Sequence, residues 1–352
     1  MGIEKVIGVD AQGGTPLEEK GKPTEEVYHR ATLATKKVAE KHPEYVFYLV
    51  GNPEDIKRVL GEEHPNIVVE PGRGSKFRAI TRLGELIEAQ KIGGFYTCGD
   101  TREVLPVVMS KIGMMDECAE VFPGELLAPL LAEIPKSPFL ERARSAFALD
   151  VGSIPELKKP EQYVLYAKLG EIYATVMGRP NPAIGLINIG AEQGKGKTML
   201  KEAYNLLKKS GLNFAGNVEP FVCVNDRDKG DYTPRPIDVY LSEGETGNLL
   251  IKALAAGADL ASNFIRYEIE HGNLFEKGAG LFLKNRAFAR AKKRADPSAT
   301  GGAVFMGTNK PVYKNHGTFT TYGMTVGLER YIAFVENKVQ DKVRGTFKAY
   351  AD

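Results

Sequence analysis

Short apolar runs ending in Gly or Asp alternate along this chain with longer amphipathic stretches, and that alternation leaves few folds open. Residues 6–10, 45–51, 67–70, 94–97, 146–151, 183–189 and 239–241 read as strands. Residues 25–41, 53–60, 76–90, 162–177 and 197–209 read as helices, with Thr24 the expected N-cap of the first and Pro53 opening the second. Parallel strands cannot be joined by a tight turn; each pair needs a crossover, and a helix is the usual one. The expected fold class is therefore α/β, a mostly parallel sheet with crossover helices, with 1–352 as a single unit. Two stretches break the rhythm. The proline spacing of residues 105–145 suits an irregular or antiparallel segment, and residues 253–294 read as helical with a change of composition.

Composition narrows the function. Lys and Arg number 47 and Asp and Glu 45, a net charge of +2 that is too even for a protein that coats nucleic acid. The cysteines, Cys98, Cys118 and Cys223, form no CxxC pair, and His29, His42, His64, His271 and His316 form no metal-binding spacing. Neither a disulfide framework nor a metal is expected, and no cofactor. Residues 1–10 meet charge too soon for a signal peptide, and no uncharged apolar segment nears the ~20 residues that span a bilayer, so a cytoplasmic protein is expected.

In an open parallel sheet, ligands bind beyond the carboxyl ends of the strands. Five Gly-rich or acidic turns fall there: residues 10–14, 98–101, 150–153, 190–197 and 243–248. Glycines let backbone amides approach an anion, and a following helix start adds partial positive charge. Each turn is equally readable as a plain strand-to-helix connection; five together point to one cleft. Gly196-Lys197-Thr198 matches the end of a Walker loop, but Ala191 stands where its first glycine belongs, which argues against a P-loop nucleotidase. A classical dinucleotide fingerprint is also missing after the first strand. His316, followed by Gly317, suits proton transfer near neutrality at an exposed strand end, although a lone histidine is more often structural.

Several stretches resemble the PlsX phosphate acyltransferases. They are Leu149-Asp-Val-Gly152, Lys159-Pro-Glu161, Ala167 to Ala174, and the long run from Pro182 to Gly196 that continues through Lys201 to Leu207 and Leu212 to Glu219. Shorter matches at residues 10–14, 49–51, 99–101, 246–248, 300–302 and 316–317 extend the likeness over nearly the whole chain. The resemblance implies an isocitrate and isopropylmalate dehydrogenase-like fold, a homodimer, and acyl transfer from acyl carrier protein to inorganic phosphate for phospholipid synthesis. With it, His316, Asp150 and Asp100 become the candidate catalytic residues. The candidate substrate- and phosphate-binding set is Asp10, Gly13, Gly14, Gly99, Thr101, Gly194, Lys195, Gly196, Lys197, Asn217, Gly247 and Asn248.

The chain departs from the family pattern at Thr15, Asp100, Ile154, Glu243 and Phe319. Asp100 adds negative charge where phosphate would bind, to be offset by Arg102 or Lys195. Those departures keep two alternatives in view: a PlsX-like acyl-phosphate subunit of a glycine reductase system, and a non-catalytic binding protein on the same fold. Between Leu274 and Arg294, seven of 21 residues are Lys or Arg against one Glu, interleaved with Phe275, Leu281, Phe282, Leu283 and Phe288. Such a segment suits either peripheral contact with an anionic membrane or a dimer-facing helix.

Overall fold

The computed structural model describes residues 2–19, 22–74, 78–121, 128–137, 145–230, 235–273, 278, 280 and 301–351. In chain order the strands are β1 (Val6–Asp10), β2 (Leu17–Glu19), β3 (Lys22–Glu25), β4 (Val46–Gly51), β5 (Ile67–Pro71), β6 (Gly94–Thr97), β7 (Leu130–Ile134), β8 (Ala146–Leu149), β9 (Ile184–Ile187), β10 (Phe214–Val218), β11 (Val239–Leu241), β12 (Ala303–Phe305) and β13 (Val312–Lys314). The helices are α1 (Val27–Lys41), α2 (Pro53–Leu60), α3 (Ala79–Glu88), α4 (Thr101–Val107), α5 (Asp116–Val121), α6 (Glu161–Val176), α7 (Thr198–Lys209), α8 (Pro220–Asn225), α9 (Gly244–His271), α10 (Thr321–Glu336) and α11 (Val339–Ala351).

Eleven strands form one mixed, mostly parallel sheet in the order β10-β9-β11-β8-β7-β12-β13-β6-β1-β4-β5, and β2 and β3 pair separately. One parallel block holds β13, β6, β1, β4 and β5. A second holds β8, β11, β9 and β10. Between the blocks, β7 pairs antiparallel with β8, β12 with β7, and β13 with β12. Three antiparallel joins reverse the direction of the chain, so the two blocks run in opposite senses. The antiparallel segment expected within residues 105–145 is β7; the first part of that stretch is instead the helices α4 and α5.

β6, β8, β9 and β11 are buried along their whole length, as befits strands covered on both faces. Alternation along β8 sends Phe147 and Leu149 into the main core and the small Ala146 and Ala148 into a second cluster with Val222, Tyr240 and Leu250. α1 buries Val27, Ala31, Ala34 and Val38, one stripe of a helix. Asn52 caps α2 by accepting the Glu54 N–H, and Pro53 occupies its first turn. Thr24 does not cap α1: residues 22–25 are in β3, and the helix begins at Val27 with Glu26 in the cap position. The segment 274–294 lies outside the described residues apart from Gly278 and Gly280. No helix among the described residues is long and apolar enough to cross a membrane.

Candidate functional site

The turn after β1 is organised by Asp10. Its Oδ1 accepts the N–H groups of Gln12 at 2.8 Å and Gly13 at 2.7 Å, and its Oδ2 accepts the Thr97 hydroxyl at 2.6 Å. Thr97 Oγ1 in turn accepts the Gly99 N–H at 2.8 Å, so one buried carboxylate ties the ends of neighbouring strands β1 and β6 together. Burial raises the Asp10 pKa despite these donors. Gly14, at φ 124°, passes under the loop after β13, where a side chain would meet the Gly317 oxygen at 2.9 Å; the Thr15 N–H donates to that same oxygen. Arg30, buried on α1, fastens the two loops from behind by donating to the carbonyls of Phe319 and Thr15.

Beyond this platform stand Asp100, Thr101, Lys314 and His316. His316 is exposed, with Nδ1 2.8 Å from the Thr318 hydroxyl oxygen. Partial desolvation of the ring by its neighbours, then the charges of Lys314 and Lys252, push its pKa below the usual histidine value, so the imidazole is neutral at neutral pH. Asp100 caps α4 by accepting the Arg102 N–H at 2.8 Å and pairs with the Arg102 guanidinium at 2.9 Å. Those bonds hold its pKa at about 2, which makes it a poor proton acceptor. Thr101 opens α4. Cys98 lies beneath the group, but burial lifts its thiol to about 12 and leaves it no role as a nucleophile at neutral pH.

A second group surrounds Asp150 at the end of β8. Its Oδ1 accepts the N–H groups of Leu130, Gly152 and Ser153, each at 3.0 Å, and its Oδ2 accepts that of Ile154 at 2.7 Å. Burial nevertheless raises its pKa to about 6. α9 starts against this turn. A side chain on Gly247 would overlap the Asp150 carbonyl oxygen, and Asn248 packs against Gly152. The loop 189–197 is pinned by two asparagines: Asn188 donates to the Lys195 carbonyl at 3.1 Å and Asn217 to the Glu192 carbonyl at 2.8 Å. Gly196 lies against Asn188, whereas Gly194 has open space around it. Lys195 and Lys197 are exposed and face Glu192 at 3.8 Å and Glu243 at 3.3 Å. Ser153 Oγ and Asn217 Oδ1 are buried and have no hydrogen-bond partner among the described residues.

The turns lie at the carboxyl ends of strands from two parallel blocks that run in opposite senses. Hydrogen bonds and close packing gather Asp10, Gly13, Gly14 and Gly99 with the loop of His316, and Asp150, Gly247 and Asn248 in another group, with Gly194, Lys195, Gly196, Lys197 and Asn217 around the loop beside it. The reversal through β7 and β12 is the cause, because it turns the carboxyl ends of the two blocks opposite ways. α9 joins the groups: it begins at Asp150, and two turns later Lys252 lies within electrostatic range of His316 and Lys314. Lys252, Lys314, Arg30 and Thr97 are the site residues missed in the sequence. Lys314 stands two residues before His316 and Lys252 one helical turn after Asn248, and neither belongs to a Gly-rich turn. One group among the described residues has metal-ligand geometry, His42 with Glu44 and Glu336, and it belongs to neither part of the site.

The model of a family described as fatty acid synthesis protein matches residues 59–342. A phosphate acyltransferase of Clostridium acetobutylicum is 30% identical over 353 residues, covering 96% of this chain and 97% of the relative. One from Brevibacillus brevis is 28% identical over 354 residues, covering 96% of each. Among solved structures, a phosphotransacetylase from Streptococcus pyogenes superposes with a TM-score of 0.55 at 11% identity, covering 96% of this chain and 97% of that one. A branched-chain phosphotransacylase from Enterococcus faecalis gives 0.54 at 12% identity, covering 94% and 99%. The two structures are similar in fold.

Proposed function

The chain belongs to this fatty acid synthesis protein family, the PlsX family to which its motifs point, and from that membership we infer that it is a phosphate acyltransferase. It transfers an acyl group from a thioester to inorganic phosphate, forming an acyl phosphate for phospholipid synthesis. A phosphate oxygen attacks the thioester carbonyl carbon, the carbon–oxygen bond forms, the carbon–sulfur bond breaks, and the proton of hydrogenphosphate ends on the released thiol. Acyl carrier protein is the acyl donor in this reading. The fold belongs with the isocitrate and isopropylmalate dehydrogenase-like class, a placement that the mixed sheet of two opposed parallel blocks supports.

Neutral His316 is suited to take the phosphate proton and pass it to the leaving sulfur in the tautomer whose Nδ1–H donates to the Thr318 hydroxyl oxygen, which leaves Nε2 bare for substrate. The backbone around Gly13, Gly14 and Gly99 offers the close approach that an oxyanion needs. Asp10 and Asp150 act by shaping the turns, because their lone pairs already receive backbone amides and the Thr97 hydroxyl. The observation that carries the reading is the family match over residues 59–342, joined to an exposed, uncharged His316 beside the β1 loop. The test is thiol release from acyl carrier protein thioester with and without phosphate. Release that does not depend on phosphate refutes the reading.

The working form in this proposal is a cytoplasmic homodimer with peripheral membrane contact. α9 supports pairing. Leu249, Ala253, Ala256, Leu260, Phe264 and Tyr267 recur at helical spacing along its exposed side, and Leu249, Leu260, Phe264 and Tyr267 are 68%, 55%, 63% and 57% exposed. The membrane contact rests on the basic and aromatic composition of residues 274–294. Light scattering that gives a monomer at micromolar concentration refutes the first part. Absence of salt-sensitive sedimentation with anionic vesicles, or binding unaffected by Phe282→Glu, refutes the second.

A further inference from the structure

The carbonyl ends of two helices meet around His42. His42 closes α1, Glu336 is the last residue of α10, and Glu44 lies in the turn that leads to β4. One ligand atom from each of the three lies within 4.8 Å of the other two. His42 Nδ1 is 3.5 Å from a Glu44 carboxylate oxygen, close to the ~3.3 Å between two ligands that each sit 2.0–2.1 Å from a tetrahedral metal. The imidazole is held from its other side: Nε2 is 3.0 Å from a Glu329 oxygen, and Tyr45 packs edge-to-face on the ring with centroids 6.2 Å apart. Glu329 and Glu336 are two turns apart on one side of α10, so that helix presents both carboxylates to the end of α1. Glu336 is nearly three hundred residues from His42 along the chain, so no ligand spacing shows in the sequence.

An ionised carboxylate only accepts hydrogen bonds, so the Nε2 that faces Glu329 carries the hydrogen, and Nδ1 of the neutral ring carries a lone pair. That lone pair faces the Glu44 carboxylate, acceptor against acceptor. Glu336 adds a second negative charge, at the negative end of a helix dipole. Among the described residues no lysine or arginine pairs with Glu44 or Glu336; Lys5 acts on Glu44 from beyond ion-pair distance, with its ammonium over the Tyr45 ring. A proton on Nδ1 answers Glu44 alone, whereas a divalent ion answers both carboxylates. One imidazole nitrogen with two carboxylates suits zinc and the neighbouring transition ions; magnesium takes oxygen ligands and keeps its waters. A histidine that binds a metal usually donates its other N–H to a carboxylate, as His42 does to Glu329. We propose that His42, Glu44 and Glu336 form a divalent transition-metal site that ties the end of α1 to the end of α10, with Glu329 orienting the imidazole. The site does not rest on the acyltransferase reading.

The test titrates the full chain, first stripped with a chelator, with zinc chloride and with magnesium chloride by calorimetry. One zinc ion per chain is expected to bind with about micromolar or tighter affinity, and magnesium is expected not to bind. Glu44→Gln and Glu336→Gln each weaken zinc binding about tenfold or more, and His42→Ala removes it. Glu329→Gln, which touches the imidazole and not the ion, weakens it about ten- to a hundredfold. Zinc raises the thermal midpoint of the unaltered protein and leaves that of His42→Ala where it was. Glu44 and Glu336 are exposed, so their Gln variants keep the comparison valid if His42→Ala fails to fold. Zinc affinity unchanged in both of those variants places the ion at another histidine and overturns the site. Failure of the unaltered protein to bind zinc overturns it as well, and leaves His42 a protonated imidazole among carboxylates.

Discussion

Asp150→Asn separates a carboxylate that organises a turn from one that moves protons. The carboxyl rises from 3.8 in the unfolded chain to about 6 in the folded one, so the native state holds the proton more tightly by about 3 kcal/mol. A raised pKa contributes stability that is complete below 3.8 and is lost as pH climbs through 6. About 1 kcal/mol of it is present at pH 5 and almost none at pH 8. Asparagine has no such dependence. It keeps one oxygen for the amides of Leu130, Gly152 and Ser153 but sets an NH2 against the Ile154 N–H, which now bonds to Oδ2 at 2.7 Å. That mismatch costs about 1–3 kcal/mol at pH 8. The variant is therefore expected to be less stable than the parent at both pH values, with a gap about 1 kcal/mol wider at pH 5. Urea denaturation followed by circular dichroism at the two pH values gives the comparison, and every other titrating group is common to both proteins. A gap that is constant, or wider at pH 8, refutes the assignment of a buried carboxyl that folding makes harder to ionise.

Gly247→Ala forces a Cβ into the Asp150 carbonyl and is expected to cost about 1–3 kcal/mol, read as a lowered urea midpoint; an unchanged midpoint means α9 has room to shift. Arg30→Met strands the carbonyls of Thr15 and Phe319 and should cost about 2–4 kcal/mol, with faster hydrogen exchange confined first to residues 11–16 and 316–320. Replacing Lys195 and Lys197 together with Ala is expected to leave the phosphate KM within about twofold, because both are exposed and already face Glu192 and Glu243. His316→Gln should lower turnover while the thermal midpoint stays near that of the parent, since the ring is exposed; joint loss of both marks a structural histidine.

What the sequence disclosed and what it hid follow from the range of the interactions involved. β1, α2, β6 and β11 begin and end where the apolar runs and the Asn52-Pro53 start place them, because local hydrophobic pattern and capping decide such boundaries. α1 starts later than expected because β3 pairs with β2, and pairing of short polar strands leaves little trace in periodicity. The sites followed the same division. Asp10, Asp150 and their glycines stand out because turn chemistry is local. Lys252 and Lys314 are 62 residues apart and are ordinary lysines in sequence, one on α9 and the other at the end of β13. The opposed directions of the two blocks have the same origin, because β12 pairs antiparallel with the distant β7 and β13 pairs parallel with the distant β6.

The position of β12 and β13 bears on how the molecule comes into being. They are the last strands made, yet they fill the centre of the sheet, where Val312 lies opposite Phe95 and Ala303 opposite Ala132. While the chain is being synthesised, β6, which ends at Thr97, and β7, which ends at Ile134, each present an open edge until their partners at Val312 and Ala303 have emerged. Closing such distant pairs is slow, and exposed edges invite pairing with other chains. The two halves of the sheet can assemble early but cannot be joined before the final stretch arrives. A chain cut short ahead of residue 303 would keep most of its helices and still be left as two unmatched fragments with their inner edges bare.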